Sequence, residues 1–117
     1  MTVWGWLPDL YVKTDLVSGT REVCTQLVVP DAERAYPFIA VSSELKAYYQ
    51  DRFMSDIKRS KPAFVVDACY PGSFAFKDRS YSPECFPVFW SFLEDNYVLV
   101  LDTSTDLADG MRVWRRQ

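Results

Sequence analysis

The chain has no histidine. That single absence removes Ser-His-Asp and Cys-His nucleophilic catalysis, histidine metal ligation and a histidine pH switch together. Cysteine is scarce as well. Cys24, Cys69 and Cys85 are odd in number and show no C-x-x-C spacing, which argues against a zinc site or a thioredoxin-type redox pair. A Cys69–Cys85 bridge would pin the loop between them in an oxidising compartment; buried free thiols are the plainer expectation. Cationic residues show no excess either: 13 Lys and Arg against 16 Asp and Glu leave a net charge of -3, and the isoelectric point lies near 4.8. Nucleic acid is therefore not an expected partner, because phosphate neutralisation needs clustered cations. The longest apolar run, Tyr97 to Leu101, falls far short of the roughly 20 residues a membrane-spanning helix needs.

What is present suits a packed core. Of 117 residues, 49% are hydrophobic and 16% aromatic, enough for one domain without staples. The clearest stretch runs from Ser43 to Ala68. Leu45, Tyr48, Tyr49, Phe53 and Ile57 recur at helical spacing, with Lys46, Gln50, Asp51, Ser55 and Lys58 on the opposite face. Ser42 or Ser43 supplies a cap, Glu44 complements the positive end of the dipole, and Lys58, Arg59 and Lys61 complement the negative end before Pro62 stops the helix. Ala63 to Val66 is then apolar at every position, as in a strand buried on both faces.

Before this stretch, Thr2 to Trp6 reads as a strand beginning almost at the first residue, which suggests a piece of a longer chain. Pro8 to about Thr14 reads as a short helix, Val23 to Val29 as an alternating strand closed by Pro30, and Asp31 to Val41 as connecting structure. After it come a long loop from Cys69 to Ser82, a helix from about Glu84 to Asp95, a second fully apolar strand from Tyr97 to Leu101, a polar loop, and a closing strand from Met111 to Arg115. The expected fold is a small three-layer α/β domain with a mixed, mainly parallel sheet of about five strands and two to three helices. The strands Ala63–Val66 and Tyr97–Leu101 should be parallel, joined through a helix, with the last strand returning as a hairpin.

Candidate chemistry centres on Asp67 and Asp102, each at the carboxyl end of an apolar strand, where open α/β sheets place ligands. Tyr70 and Arg79 could add an aromatic wall and an anion contact. The plainer alternative is that each Asp accepts backbone amide hydrogen bonds. Asp102 to Gly110 offers oxygens at alternating positions but lacks the glycine and terminal acid of a calcium loop, so no metal or cofactor is expected. Trp4, Trp6, Trp114 and Phe74 could meet lipid headgroups, and Arg112, Arg115 and Arg116 anionic lipid; core packing and a frayed basic end are the plainer readings.

Two segments resemble a known family. Trp4-Gly5-Trp6-Leu7-Pro8-Asp9-Leu10-Tyr11, followed by Ser18-Gly19 and Arg21, is similar to the W-G-x-x-P-x-L-Y…S-G…R pattern that opens the soluble C-terminal part of many bacterial polytopic membrane proteins. Those proteins are related to lipid-linked-sugar glycosyltransferases of the protein mannosyltransferase and aminoarabinose transferase type. Lys61 to Asp67 and Phe92 to Tyr97 are similar to that family's later helix-to-strand junctions. The resemblance implies an extracytoplasmic location, and a parent whose transmembrane portion is a partner. Lipid-linked sugar or the membrane surface would be further partners. It implies no catalytic residue here, and it implies an irregular segment where Val23 to Val29 reads as a strand. The expected function is thus a non-catalytic accessory domain of a membrane glycosyltransferase-like protein. The alternatives are an independent metal-dependent hydrolase or phosphotransfer enzyme using Asp67 and Asp102, and a protein-interaction module.

Overall fold

A computed structural model of the chain describes residues 1–73, 75–103 and 110–117. Phe74 and most of the expected polar loop after Asp102 lie outside the described residues. Strand β1 spans Thr2–Trp4, helix α1 Asp9–Thr14, α2 Ala32–Ala35, α3 Ser43–Ser60, β2 Phe64–Asp67, α4 Pro87–Asn96, β3 Tyr97–Asp102 and β4 Arg112–Arg116. The four strands form one mixed sheet in the order β1-β2-β4-β3. β1 runs parallel to β2, and β4 runs antiparallel to both β2 and β3.

The mixed α/β architecture agrees with the sequence, but the sheet of the described residues has four strands rather than about five, two of its three pairings are antiparallel where a mainly parallel sheet is expected, and the burial of its strands differs. The segment Val23 to Val29 is not a strand. The Val28 and Val29 amides both donate to the Thr25 carbonyl, which closes a tight turn and buries Val28 and Val29 side by side instead of alternately. Thr25 ties the segment to the residue that follows β1: Gly5 N–H donates to Thr25 Oγ1 at 2.7 Å, and Thr25 N–H to the Gly5 carbonyl at 3.2 Å. α2 appears inside the expected connecting structure, so the described residues carry four α-helices.

β2 is buried on both faces as its apolar run predicts. β3 is not: after Tyr97 every residue is exposed. The cause is topological. β2 and β3 do point the same way, but β4 inserts between them and takes the inner position, leaving β3 at the edge.

Helices cover both faces of the sheet. On one side, Phe53, Met54 and Ile57 of α3 and Phe89 and Leu93 of α4 pack with Trp4, Val65 and Trp114. On the other, Leu10 and Tyr11 of α1 pack with Val3, Val66 and Val113. α3 is capped as expected, with Leu45 N–H donating to Ser42 Oγ, and it stops at Lys61 in the left-handed region. Its inward stripe is turned relative to the periodicity, since Leu45 and Tyr48 are exposed. Lys46 Nζ instead donates to the Pro30 carbonyl at 2.7 Å and Gln50 Nε2 to the Val28 carbonyl at 3.0 Å. The irregular segment that carries Val28 and Pro30 lies against α3, and its carbonyls need donors that a purely apolar stripe would not provide.

Candidate functional site

The strand end predicted to carry chemistry carries an ion-pair cluster. Asp67 is the last residue of β2 and is fully buried. Its Oδ1 accepts the Cys69 amide at 2.9 Å, closing the turn out of the strand. Its Oδ2 accepts Arg79 Nη1 at 2.8 Å, Arg112 Nη2 at 2.8 Å and Arg112 Nε at 3.2 Å. Arg112 then forks to Glu84, with Nη1 donating to Oε1 at 2.6 Å and Nη2 to Oε2 at 2.8 Å.

Each member arrives by local necessity. Asp67 pairs with Trp4 and with Arg112 across neighbouring strands, so all three project to the face covered by α3 and α4. Arg79 begins a short 3-10 turn, Arg79–Tyr81, whose preceding Asp78 accepts the Ser80 amide at 2.7 Å. Glu84 sits in a second 3-10 turn, Pro83–Cys85, just before α4. The Arg112 guanidinium lies 4.9 Å from the Trp114 ring centre, a cation–π contact that fixes its plane.

Electrostatics favour the charged forms of Arg112 and Glu84. Burial works to lower Arg112, but hydrogen bonds to Glu84 and Asp67 overcome it and hold the guanidinium above its ordinary value. Burial works to raise Glu84, and Arg112 outweighs it, holding the carboxyl below its ordinary value. The adjacent thiols move the other way. Burial, reinforced by the Glu84 charge, pushes Cys85 up to about 11, and burial with the Asp67 charge raises Cys69 further. All three cysteines are free.

Of the four residues singled out from sequence, Asp67 and Arg79 are brought together. Asp102 lies opposite Arg112 on the outer side of β4. Arg112 is therefore the shared cross-strand partner of both residues, Asp67 on β2 and Asp102 on β3. Tyr70 is buried with Val3, Val66 and Ala68 in the apolar cluster on the α1 side. Arg112 and Glu84 were not legible as partners of Asp67. The available signal was that Arg112, two residues before Trp114, shares its inward face.

Chemically, the arrangement is two cations against two anions. An Asp67 Oδ2 already taken by two guanidinium groups has no lone pair for a metal ion or an attacking water. One donor is left open: Arg79 Nη2 is buried with no hydrogen-bond partner among the described residues. No cluster of three acidic, cysteine or histidine side chains suited to a metal occurs among the described residues.

The resemblance motif has structural roles around the same strand. Trp4 Nε1 donates to the Tyr81 carbonyl at 2.7 Å, Val3 N–H to the Tyr11 hydroxyl at 3.0 Å, and Gly19 N–H to the Met1 carbonyl at 2.7 Å. Arg21 grips Asp56 of α3 through Nε at 2.9 Å and Nη2 at 3.1 Å. Comparison of the chain with protein-family models, curated proteins and solved structures finds no match.

Proposed function

We propose that this chain acts by contact rather than catalysis, as the extracytoplasmic accessory domain of a membrane glycosyltransferase-like protein docked against the transmembrane portion of its parent. The observation that carries the reading is the edge strand. Val98, Leu99, Val100 and Leu101 are consecutive, apolar and 41–49% exposed, on a strand whose outer hydrogen-bonding edge is unpaired among the described residues. Proteins that work alone blunt such an edge with charge or proline, whereas one embedded in a larger assembly covers it. The W-G-x-x-P-x-L-Y resemblance is what points to a membrane glycosyltransferase-like parent as that assembly. Lipid-linked sugar or the membrane surface would then be met by the assembled protein.

The alternative of a metal-dependent hydrolase or phosphotransfer enzyme needs Asp67 as ligand or base. The two arginines on its Oδ2 oppose that.

Fractionation of native cells tests the proposal. An antibody against the domain should recover it with the membranes, and a protease added to spheroplasts should remove it. Recovery in the soluble fraction, protected until the inner membrane is lysed, refutes the reading.

A further inference from the structure

At the opposite end of β2 from Asp67, where α3 stops, β3 starts and β4 finishes, lies a cleft of about 560 Å³. Its walls include Lys58 and Lys61 from the end of α3, Phe92 and Asp95 from α4, Tyr97 and Arg116. Hydrogen bonds join these walls. The Tyr97 hydroxyl donates to the Pro62 carbonyl at 2.8 Å, Arg116 N–H to the Ala63 carbonyl at 2.9 Å and Gln117 N–H to the Asn96 carbonyl at 3.0 Å. The fold itself therefore fixes the cleft, as it does for most small-molecule sites. Charge sets it apart from the rest of the surface. The chain is acidic overall, with a net charge of -3, yet Lys58, Lys61 and Arg116 share this cleft with the single carboxylate of Asp95. All three cationic residues are exposed and make no ion pair among the described residues, whereas Arg59, in the same turn of α3, is taken by Asp56 at 3.0 Å. Arg116 Nη1 donates to the Lys61 carbonyl, which anchors the guanidinium beside the end of α3 and leaves Nε and Nη2 without a hydrogen bond among the described residues. A fork anchored in this way loses less freedom when it meets an anion.

We propose that this cleft binds the phosphate of a small phosphomonoester, free or carried on a lipid headgroup. Lys58, Lys61 and Arg116 less Asp95 leave a surplus of two positive charges, and a phosphomonoester near neutrality carries about -1.5 to -2. A carboxylate or a phosphodiester, with one negative charge, leaves half of that surplus unmatched. The end of α3 uses only one N–H of Arg116, so complementing the helix dipole does not exhaust these cations. The volume falls within the roughly 300 to 1,000 Å³ of small-molecule sites, room for a phosphate and a modest organic group against the half-buried Phe92. Nucleic acid is opposed, because it needs a track of cations and the rest of this chain carries an excess of acid. The proposal does not rest on the docking of β3.

Methyl phosphate and dimethyl phosphate, a dianion and a monoanion of similar shape, form the test. Titration at about pH 7.5 followed by heteronuclear NMR should show methyl phosphate binding at about millimolar affinity, with the shifts centred on Lys58, Lys61, Phe92 and Arg116. Dimethyl phosphate should bind about threefold more weakly. Lys58→Gln combined with Lys61→Gln, both at exposed positions and so safe for folding, should weaken methyl phosphate about fivefold. Asp95→Asn should tighten it about twofold, and Lys13→Gln, at an exposed cation outside the cleft, should change nothing. Vesicle flotation then separates the two sources, since the phosphatidic acid headgroup is a monoester and that of phosphatidylglycerol a diester. Stronger retention on phosphatidic acid, lost in the double lysine variant, assigns the site to a lipid headgroup; methyl phosphate binding without that preference assigns it to a free ester. Equal affinity for the two phosphates, no shifts with methyl phosphate at about 20 mM, or native affinity in the double lysine variant would each overturn the proposal.

Discussion

Asp67 and Arg112 face each other across the β2–β4 ladder, and Arg112 Nη2 lies 2.8 Å from Asp67 Oδ2. Because Asp67 is fully buried and the Arg112 side chain only 14% exposed, removing one partner strands the other's charge in the core. Such losses cost about 3–5 kcal/mol. Arg112→Ala should lower unfolding free energy by about 3 kcal/mol, while Arg79→Ala, at a side chain 34% exposed, should cost nearer 1 kcal/mol. Urea unfolding of the two variants measures the ranking. Equal and small losses would show that the cluster does not hold β4 to β2.

Two ion-paired carboxyls, Asp56 beside Arg21 and Glu84 beside Arg112, predict acid sensitivity. Arg21 holds the Asp56 carboxyl below its ordinary value of 3.8 against the opposing effect of burial. Glu84, where burial is outweighed by Arg112, lies below its ordinary 4.5. A carboxyl depressed in the folded state stabilises the fold at every pH above its unfolded value, and that stability drains away as pH falls through the folded one. Thermal stability should therefore be level from neutrality down to about pH 5 and decline below it. Asp56→Asn should be less stable at neutral pH and show a shallower acid decline.

How much of this was legible in the sequence depends on whether a residue's partner was local. The α3-to-β2 unit was readable because periodicity, the Ser42 cap and Pro62 all act within a few residues. The apolar run of β3 suggests burial, but such a run does not say whether a neighbouring strand will lie on one side or two; β4, inserted from the far end of the chain, decides that. Val23 to Val29 alternated convincingly, yet Thr25 bonds with the Gly5 backbone, and that distant pairing overrode local propensity. The Asp67 site was half visible. A carboxylate at a strand end is a local feature, whereas the arginines that neutralise it are 12 and 45 residues away.

Thiol reactivity should separate the folded from the unfolded chain. With Cys85 near 11 rather than the ordinary 9.0, its thiolate fraction at pH 8 falls about 100-fold, and Cys69 is higher still and fully buried. Ellman's reagent at pH 8 should label Cys69 and Cys85 slowly in the native chain and at once in urea. Rapid native labelling of Cys85 would show that its turn opens freely.

Gly5 directly follows β1, and its φ of +106 is one that side chains rarely adopt. A Cβ there would come within 3.2 Å of both the Ala68 carbonyl carbon and Cys69 Sγ. Gly5→Ala should cost about 2 kcal/mol by strain and disturb the Thr25 bond. Calorimetry measures the first effect, and hydrogen exchange at Thr25 the second. A neutral Gly5→Ala would mean that β1 ends differently.

The exposed edge of β3 makes the last prediction, because isolating the chain leaves Val98 to Leu101 without a cover. The unpaired side of an apolar edge strand is a template for another strand, and the bulge between Leu99 and Leu101 weakens that tendency without abolishing it. Sedimentation of the isolated chain should show reversible association that strengthens with concentration. Val98→Lys combined with Val100→Lys should abolish it, while changing unfolding free energy by no more than about 0.5 kcal/mol per site, since both side chains are already in solvent. On the proposed docking, the same double variant placed in the full-length parent should loosen the domain from the membrane-embedded portion and speed its removal by protease. If the isolated chain stays monomeric at every attainable concentration and the lysines leave the parent unchanged, β3 is an ordinary solvated edge and the docking reading loses its support.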